Sequence, residues 1–204
     1  MKVFFVTIIA ALCLVSAGYA ADRSMKFAVD GGGGAPCKAF LESEQSNSPA
    51  SVAFAGWIDG YFSAFNQFNQ DTYDVTPWQS GSLLRAMLKQ YCRKNPDRLF
   101  GEAVATLGAA LRRDRLDAMS ELVKAENGKE GVAIYRTVLQ RAQQALDKAG
   151  YYKGKADGAF DAPTQDAFRK FQTDRKLEAT GLPDQRTLYV LFYQSAEGAA
   201  PSHP

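Results

Sequence analysis

Few residues in this sequence are equipped for covalent or hydrolytic chemistry. The single histidine is His203, next to last in the chain. A zinc site gathers histidine, carboxylate or thiolate ligands around one ion, so one terminal histidine leads us to expect no metal and no other cofactor. A cysteine nucleophile needs an activating base, usually histidine, and none is at hand for Cys13, Cys37 or Cys92. Serine and lysine chemistry would announce itself as G-x-S-x-G or S-x-x-K, and neither motif occurs. Glycosidase-type chemistry requires only two facing carboxylates. Glu42, Glu44 and Asp59 lie near apolar segments, but Glu42 and Glu44 are two apart and do not face each other on a helix. They read as solvated surface acids, and the chain is expected to be non-enzymatic.

The N-terminus sets the compartment. Lys2 precedes an apolar run over residues 3–15, and Gly18, Tyr19 and Ala20 supply small residues around a cleavage point before Ala21. This is the three-part pattern of a secretory signal peptide over residues 1–20. The run is shorter than the ~20 residues of a membrane span, so no integral span is expected after cleavage. Cys13 leaves with the signal. Cys37 and Cys92 then face an oxidising environment, where one intramolecular disulfide is the economical reading; two free thiols or an intermolecular bridge are the alternatives.

Composition bounds the rest. The 204 residues are 46% apolar and 23% charged with a net charge of +2, enough for two small cores. No block of one sign is present, so nucleic acid is not an expected partner.

The elements follow from periodicity. Residues 21–36, with glycine at 31–34, read as a flexible tether. Phe40 and Leu41 suggest a short first helix. Ser48 and Pro49 begin a second, with Phe54, Trp57, Ile58, Tyr61, Phe62 and Phe65 on one face. Gly56 and Gly60 are unfavourable in a helix, so they should admit another backbone closely. Residues 66–81 form a loop anchored at Pro77 and Trp78, the expected binding surface of this half. Leu83, Leu84, Met87, Leu88, Tyr91 and Cys92 make a third helix. Asn95, Pro96 and Asp97 should start a fourth, with Phe100, Val104, Leu107 and Leu111 inward. Its spacing continues through Leu116, Met119 and Val123, beside a solvated cluster of Arg112, Arg113 and Arg115. Residues 125–131 read as a linker, with Val132, Ile134 and Tyr135 as an extended lead-in to the next unit.

Residues 137–192 are the most informative stretch. A helix ends at Gly150, a turn follows, a second amphipathic helix starts near Pro163, and after Thr180-Gly181 a third is capped by Asp184 and buries Leu188, Leu191 and Phe192. The series Gln140, Leu146, Gly150-Tyr151-Tyr152, Asp157-Gly158-x-Phe160, Thr164, Ala167, Phe171-Gln172, Leu177, Thr180-Gly181, Thr187, Leu191 resembles the three-helix peptidoglycan-binding domain. That resemblance implies non-catalytic binding of peptidoglycan, through its stem peptide or glycan, in a shallow groove. Gly158, Phe160, Ala167, Phe168, Phe171, Leu177, Leu188 and Leu191 are explained by turn and core requirements. The ligand candidates left are Asp157, Thr164, Gln172 and Thr180, with the Thr164 hydroxyl expected to face outward. Asp161 stands where the family commonly has glycine, which would add charge at the groove mouth. More weakly, Cys37-x-x-Phe40-Leu41, Leu88-x-x-Tyr91-Cys92 and Asn95-Pro96 resemble the HdeA-like periplasmic proteins, among them acid-stress chaperones.

The expected architecture is mainly α, with two small helical domains. Residues 1–20 are the signal peptide, 21–36 the tether, 37–124 a disulfide-closed HdeA-like domain, 125–131 the linker, 132–193 a three-helix peptidoglycan-binding-like domain and 194–204 a disordered tail. The expected function is wall binding in the periplasm, with the C-terminal domain tethering the helical one. A chaperone or inhibitor that binds a periplasmic protein through its N-terminal domain, and a peptidoglycan hydrolase with an N-terminal site, are the alternatives.

Overall fold

The structure is a computed structural model that describes Ser24, residues 26–46 and residues 48–194. The expected signal peptide and, apart from Gln194, the expected tail over 194–204 lie outside the described residues, as do Cys13 and His203. The described chain is mainly helical, with seven α-helices and one two-stranded antiparallel sheet. None of these helices is long and apolar enough to cross a membrane.

The N-terminal half contains α1 (Cys37–Ser46), α2 (Pro49–Phe68), α3 (Gly81–Lys94) and α4 (Phe100–Leu111). Apolar residues at three- and four-residue steps bury one face of each helix, as the period requires. Phe54, Ile58 and Phe62 of α2 meet Leu84 and Leu88 of α3 and Val104 and Leu111 of α4. At the centre Phe40, Phe54 and Phe100 form a triangle with ring centroids 4.6 to 5.4 Å apart, tilted or edge-on as aromatic quadrupoles prefer. Cys37 opens α1 and is disulfide-bonded to Cys92 near the end of α3, both sulfurs fully buried. The bridge closes 55 residues, for which chain entropy gives a stabilisation of roughly 4 kcal/mol. Glu44 lies between Arg85 at 3.5 Å and Lys89 at 3.3 Å, so this acid bridges α1 to α3.

Several expectations about this half are corrected. Residues 31–34 form a 3-10 turn packed on α2, with Gly33 buried. A Cβ on Gly32 would lie 3.1 Å from the Phe54 ring, so the absent side chains permit contact with the core rather than disorder. Gly56 and Gly60 do the reverse, for nothing lies within 4 Å of a Cβ at either, and they face outward on α2. Pro49 occupies the first turn of α2 as expected, but Ser48 makes no side-chain cap; its carbonyl accepts from Ser51 instead. The helix expected to start at Asn95-Pro96-Asp97 starts at Phe100. Asn95 is used to close α3, its Nδ2 donating to Tyr91 O, while Pro96 O accepts from Lys38 N and Asp97 pairs with Lys38. Those three residues stitch the start of α1 to the end of α3. That helix also ends at Leu111, not at residue 124. After a 3-10 turn at Arg112–Asp114, Leu116 pairs with Asp74 and Met119 is exposed.

The expected linker is a β-hairpin. Strands β1 (Leu122–Asn127) and β2 (Glu130–Tyr135) pair in the register Leu122 to Tyr135 and Asn127 to Glu130, around a left-handed Gly128 with φ 64°. Asn-Gly at a two-residue turn is a strong hairpin signal. Alternation puts Ala125 and Ile134 inward. The expected extended lead-in is β2, and it runs directly into α5 (Arg136–Lys148). Then come α6 (Ala162–Asp174) and α7 (Gln185–Tyr189), the last continued by a π turn over Val190–Gln194.

Two apolar clusters result, one per half, yet the described residues from Gly31 onward form one compact unit. The loop expected as an exposed binding surface joins them. Trp78 packs against Phe192 and Tyr193, with centroids 5.4 and 5.5 Å away. Gln185 Nε2 donates to Trp78 O at 3.2 Å, Ser80 N donates to Gln185 Oε1 at 2.7 Å and Gln79 Nε2 donates to Tyr193 OH at 3.1 Å. Arg141 donates to the carbonyls of Asp114 and Arg115.

We expect Trp78→Ala to lower stability by about 2–3 kcal/mol, below the value for a fully buried tryptophan, and to speed amide exchange in α7 and its π turn. Urea unfolding and hydrogen exchange measure both, and wild-type exchange in α7 would show that the clasp lies elsewhere.

Candidate functional site

The C-terminal half is organised by a spacing that occurs twice, Gly158-x-x-Asp161-x-x-Thr164 and Gly181-x-x-Asp184-x-x-Thr187. In each, glycine takes a positive φ, 74° and 70°, a conformation side chains resist. Each is also crowded, since a Cβ on Gly158 would fall on the carbonyl of Arg136 and one on Gly181 on the side chain of Gln165. The aspartate then caps the following helix. Asp161 Oδ1 accepts from Thr164 N at 2.9 Å and Asp184 Oδ1 from Thr187 N at 2.8 Å, satisfying an otherwise orphaned amide.

A buried glutamine secures each loop. Gln143 of α5 accepts from Gly158 N at 2.8 Å and donates to Ala159 O and to Thr164 Oγ1, both at 2.9 Å. Gln172 of α6 accepts from Gly181 N at 2.7 Å. Its Nε2 lies 2.9 to 3.2 Å from Thr187 Oγ1, Thr180 Oγ1, Leu182 O and Asp184 Oδ2, four acceptors sharing two protons. Both glutamines are fully buried, where an unmet amide is expensive.

The four candidate ligand residues can now be placed. Thr164 and Gln172 are fully buried, and all their polar atoms have partners inside the chain. The Thr164 hydroxyl faces inward, to Asp161, Ala159 and Gln143, correcting the expectation that it points out, because the loop folds over it. Thr180 is half-buried, its hydroxyl held by Gln172, Leu182 N and Asp184. Asp157 is exposed and closes its own turn by accepting from Ala159 N at 2.9 Å. The structure therefore divides them between two loop networks, with Asp157 and Thr164, in the first turn of α6, at the first, and Gln172, near the end of α6, with Thr180 at the second. Asp161, where glycine was expected, is the N-cap of α6. The hydrogen bond from the Thr164 side chain leads the causes that hold its carboxyl below the ordinary 3.8.

Beside the first loop lies an open groove of about 660 Å³. One wall is the turn at residues 150–154. It forms because α5 ends in a Schellman motif, with Gly150 at φ 84°, Tyr151 N donating to Leu146 O and Gly150 N to Asp147 O. Tyr152 OH, itself buried, donates to Lys155 O at 2.9 Å and pulls the turn down. The other wall is the outer face of α6, with Ala162, Pro163, Asp166, Ala167 and Lys170. Tyr151 spans both, standing edge-on to Phe171 at 5.4 Å. Burial, then hydrogen bonding to and the charge of Asp174, push its phenol above 10.0 and keep it neutral. An adjoining hollow of about 510 Å³ shares Tyr151, Asp166 and Lys170 and adds Arg169, Thr173 and Asp174.

Gln143, Lys153 and Lys170 escape the sequence reading. The repeated G-x-x-D-x-x-T spacing, with a glutamine on each preceding helix, is the signal for Gln143. Nothing in the sequence separates the two lysines from other surface lysines. Chemically the groove offers an apolar floor, a neutral phenol and charges of both signs, which suits a flexible polar ligand. Among the described residues no three histidine, cysteine, aspartate or glutamate side chains are grouped to hold a metal. Of the acids considered for hydrolysis, Glu44 is held by Arg85 and Lys89, and Glu42 and Asp59 are exposed on separate helices.

Residues 137–191 match the family described as "Putative peptidoglycan binding domain", in agreement with the resemblance carried by their motifs. The HdeA-like resemblance of the N-terminal half finds no confirmation in the comparisons. No curated protein and no solved structure matches the chain.

Two substitutions test whether the buried polar residues are structural. Gln172→Leu leaves the Gly181 amide without its acceptor and removes one donor from the Thr180 and Thr187 hydroxyls, and should cost roughly 2–4 kcal/mol in urea unfolding. Full stability with altered ligand binding would instead mark Gln172 as a contact. Asp161→Asn isolates the cap. A depressed carboxyl pKa adds stability above the unfolded value of 3.8, which is lost as pH falls through the lower folded value. The stability difference between wild type and Asp161→Asn should thus be constant near neutrality and shrink below about pH 4.

Proposed function

We propose that this chain is an exported, non-catalytic protein of the periplasm that binds peptidoglycan through the groove between the 150–154 turn and α6. The match of residues 137–191 to a peptidoglycan-binding family carries the proposal. The groove, of about 660 Å³, lies on that segment, and its walls are held by the Schellman end of α5 and the capped start of α6. Such rigidity reduces the ordering entropy lost when a flexible polymer binds.

The tethering role follows from the clasp. Trp78, Gln79 and Ser80 bind α7 and its π turn, so the helical half is carried on the wall-binding half as one body. Attachment of one fixes the orientation of the other. The exported location draws on the N-terminal signal pattern and on the disulfide, which suits an oxidising compartment.

The direct test is co-sedimentation of the full chain with purified sacculi. We expect saturable pelleting and no release of soluble muropeptides after prolonged incubation. A chain that stays in the supernatant would falsify the binding reading, and muropeptide release would overturn the non-catalytic one.

A further inference from the structure

Two lysines converge on the groove without a counter-charge. Lys153 comes from the turn and Lys170 from α6, and both line the same hollow. Neither makes an ion pair or hydrogen bond with a described residue. The acid beside them, Asp166, is already matched by Arg169 at 2.7 Å, so the groove presents net positive charge over an apolar floor of Tyr151, Pro163 and Ala167. By contrast Lys38, Lys89 and Lys155 each face an acid.

Resting on the reading of this groove as the peptidoglycan site, we infer that Lys153 and Lys170 recognise free carboxylates of the stem peptide. The glycan of peptidoglycan is a chain of uncharged sugar units where its acids are amide-linked, whereas the peptide carries free carboxylates along its length and at its end. Two ammonium groups on either wall of one groove match a ligand with anionic groups on a short, partly apolar chain, and the floor accepts its methyl side chains. The pair makes this chain selective for unamidated wall.

The test compares the full chain on native sacculi and on sacculi whose carboxylates have been amidated with carbodiimide and ammonia. Affinity for the amidated material should be roughly three- to tenfold weaker, the effect of two exposed ion pairs. The double variant Lys153→Gln with Lys170→Gln should bind both materials equally, at the level of wild type on amidated sacculi. The arginine double variant at the same positions should keep the preference. A control pair on the hairpin, Lys124→Gln with Lys129→Gln, should keep it too. Equal wild-type binding to both materials overturns the inference while leaving wall binding intact. Loss of preference in the hairpin control overturns it as well, since it would show diffuse attraction to a polyanion. Pelleting with neither material overturns the wall-binding reading and this inference together.

Discussion

A primary amide sealed from water must find partners for its oxygen and both of its protons, and the C-terminal half is built on meeting that demand twice. Gln143 and Gln172 are each fully buried, and the groups that satisfy them belong to an irregular loop and to the first turn of the helix that follows it. Because leaving such groups unmet costs about 1–3 kcal/mol apiece, each loop has one arrangement that works. The glycine must turn left-handed to aim its N–H at the glutamine oxygen, and the aspartate three residues on is then placed to cap the next helix. Helix, loop and helix are thereby set by one side chain. The groove inherits this order, since α6, its outer wall, starts at the Asp161 cap, while the inner wall hangs from Tyr152.

The physical unit is larger than the stretch that matches the family. The second apolar cluster draws in Val123 and Ile134 from the hairpin, Leu116 from the segment before it and Trp78 from the other half. Asn127 at the hairpin tip donates to Thr180 O at 2.8 Å, supporting the second glutamine-held loop from outside. Ser120 accepts from Thr137 at the start of α5. Residues 137–191 are therefore closed on one side by a hairpin and on another by an aromatic clasp.

What the sequence revealed and what it hid divide along a physical line. Helix faces were legible because burial repeats every three to four residues, and the disulfide because two cysteines in a chain expected to be exported have few other fates. The hairpin was hidden by polarity. Glu126, Asn127, Lys129 and Glu130 look like linker, and only Ala125 and Ile134 are buried, too few to outweigh a run of charges, although Asn127-Gly128 was a usable turn signal. Glycine was ambiguous for a deeper reason. Its missing side chain serves flexibility at one place and close approach at another, and only the neighbours decide. At Gly32 the neighbour is Phe54; at Gly56 and Gly60 there is none, and the intrachain packing expected there is absent.

The same line separates folding from recognition within the candidate site. Thr164, Gln172 and Thr180 stand out as polar residues in a motif because the fold needs them, and the fold then consumes their hydrogen-bonding capacity internally. A ligand must be met by atoms the fold leaves over, which in the proposed groove are the Tyr151 ring edge and the ammonium groups of Lys153 and Lys170. Such residues carry no periodicity, cap or turn requirement, so nothing local marks them. They become visible only when the Schellman end of α5 brings the turn against α6. The proposed binding surface is thus a consequence of the two buried glutamines without containing either of them.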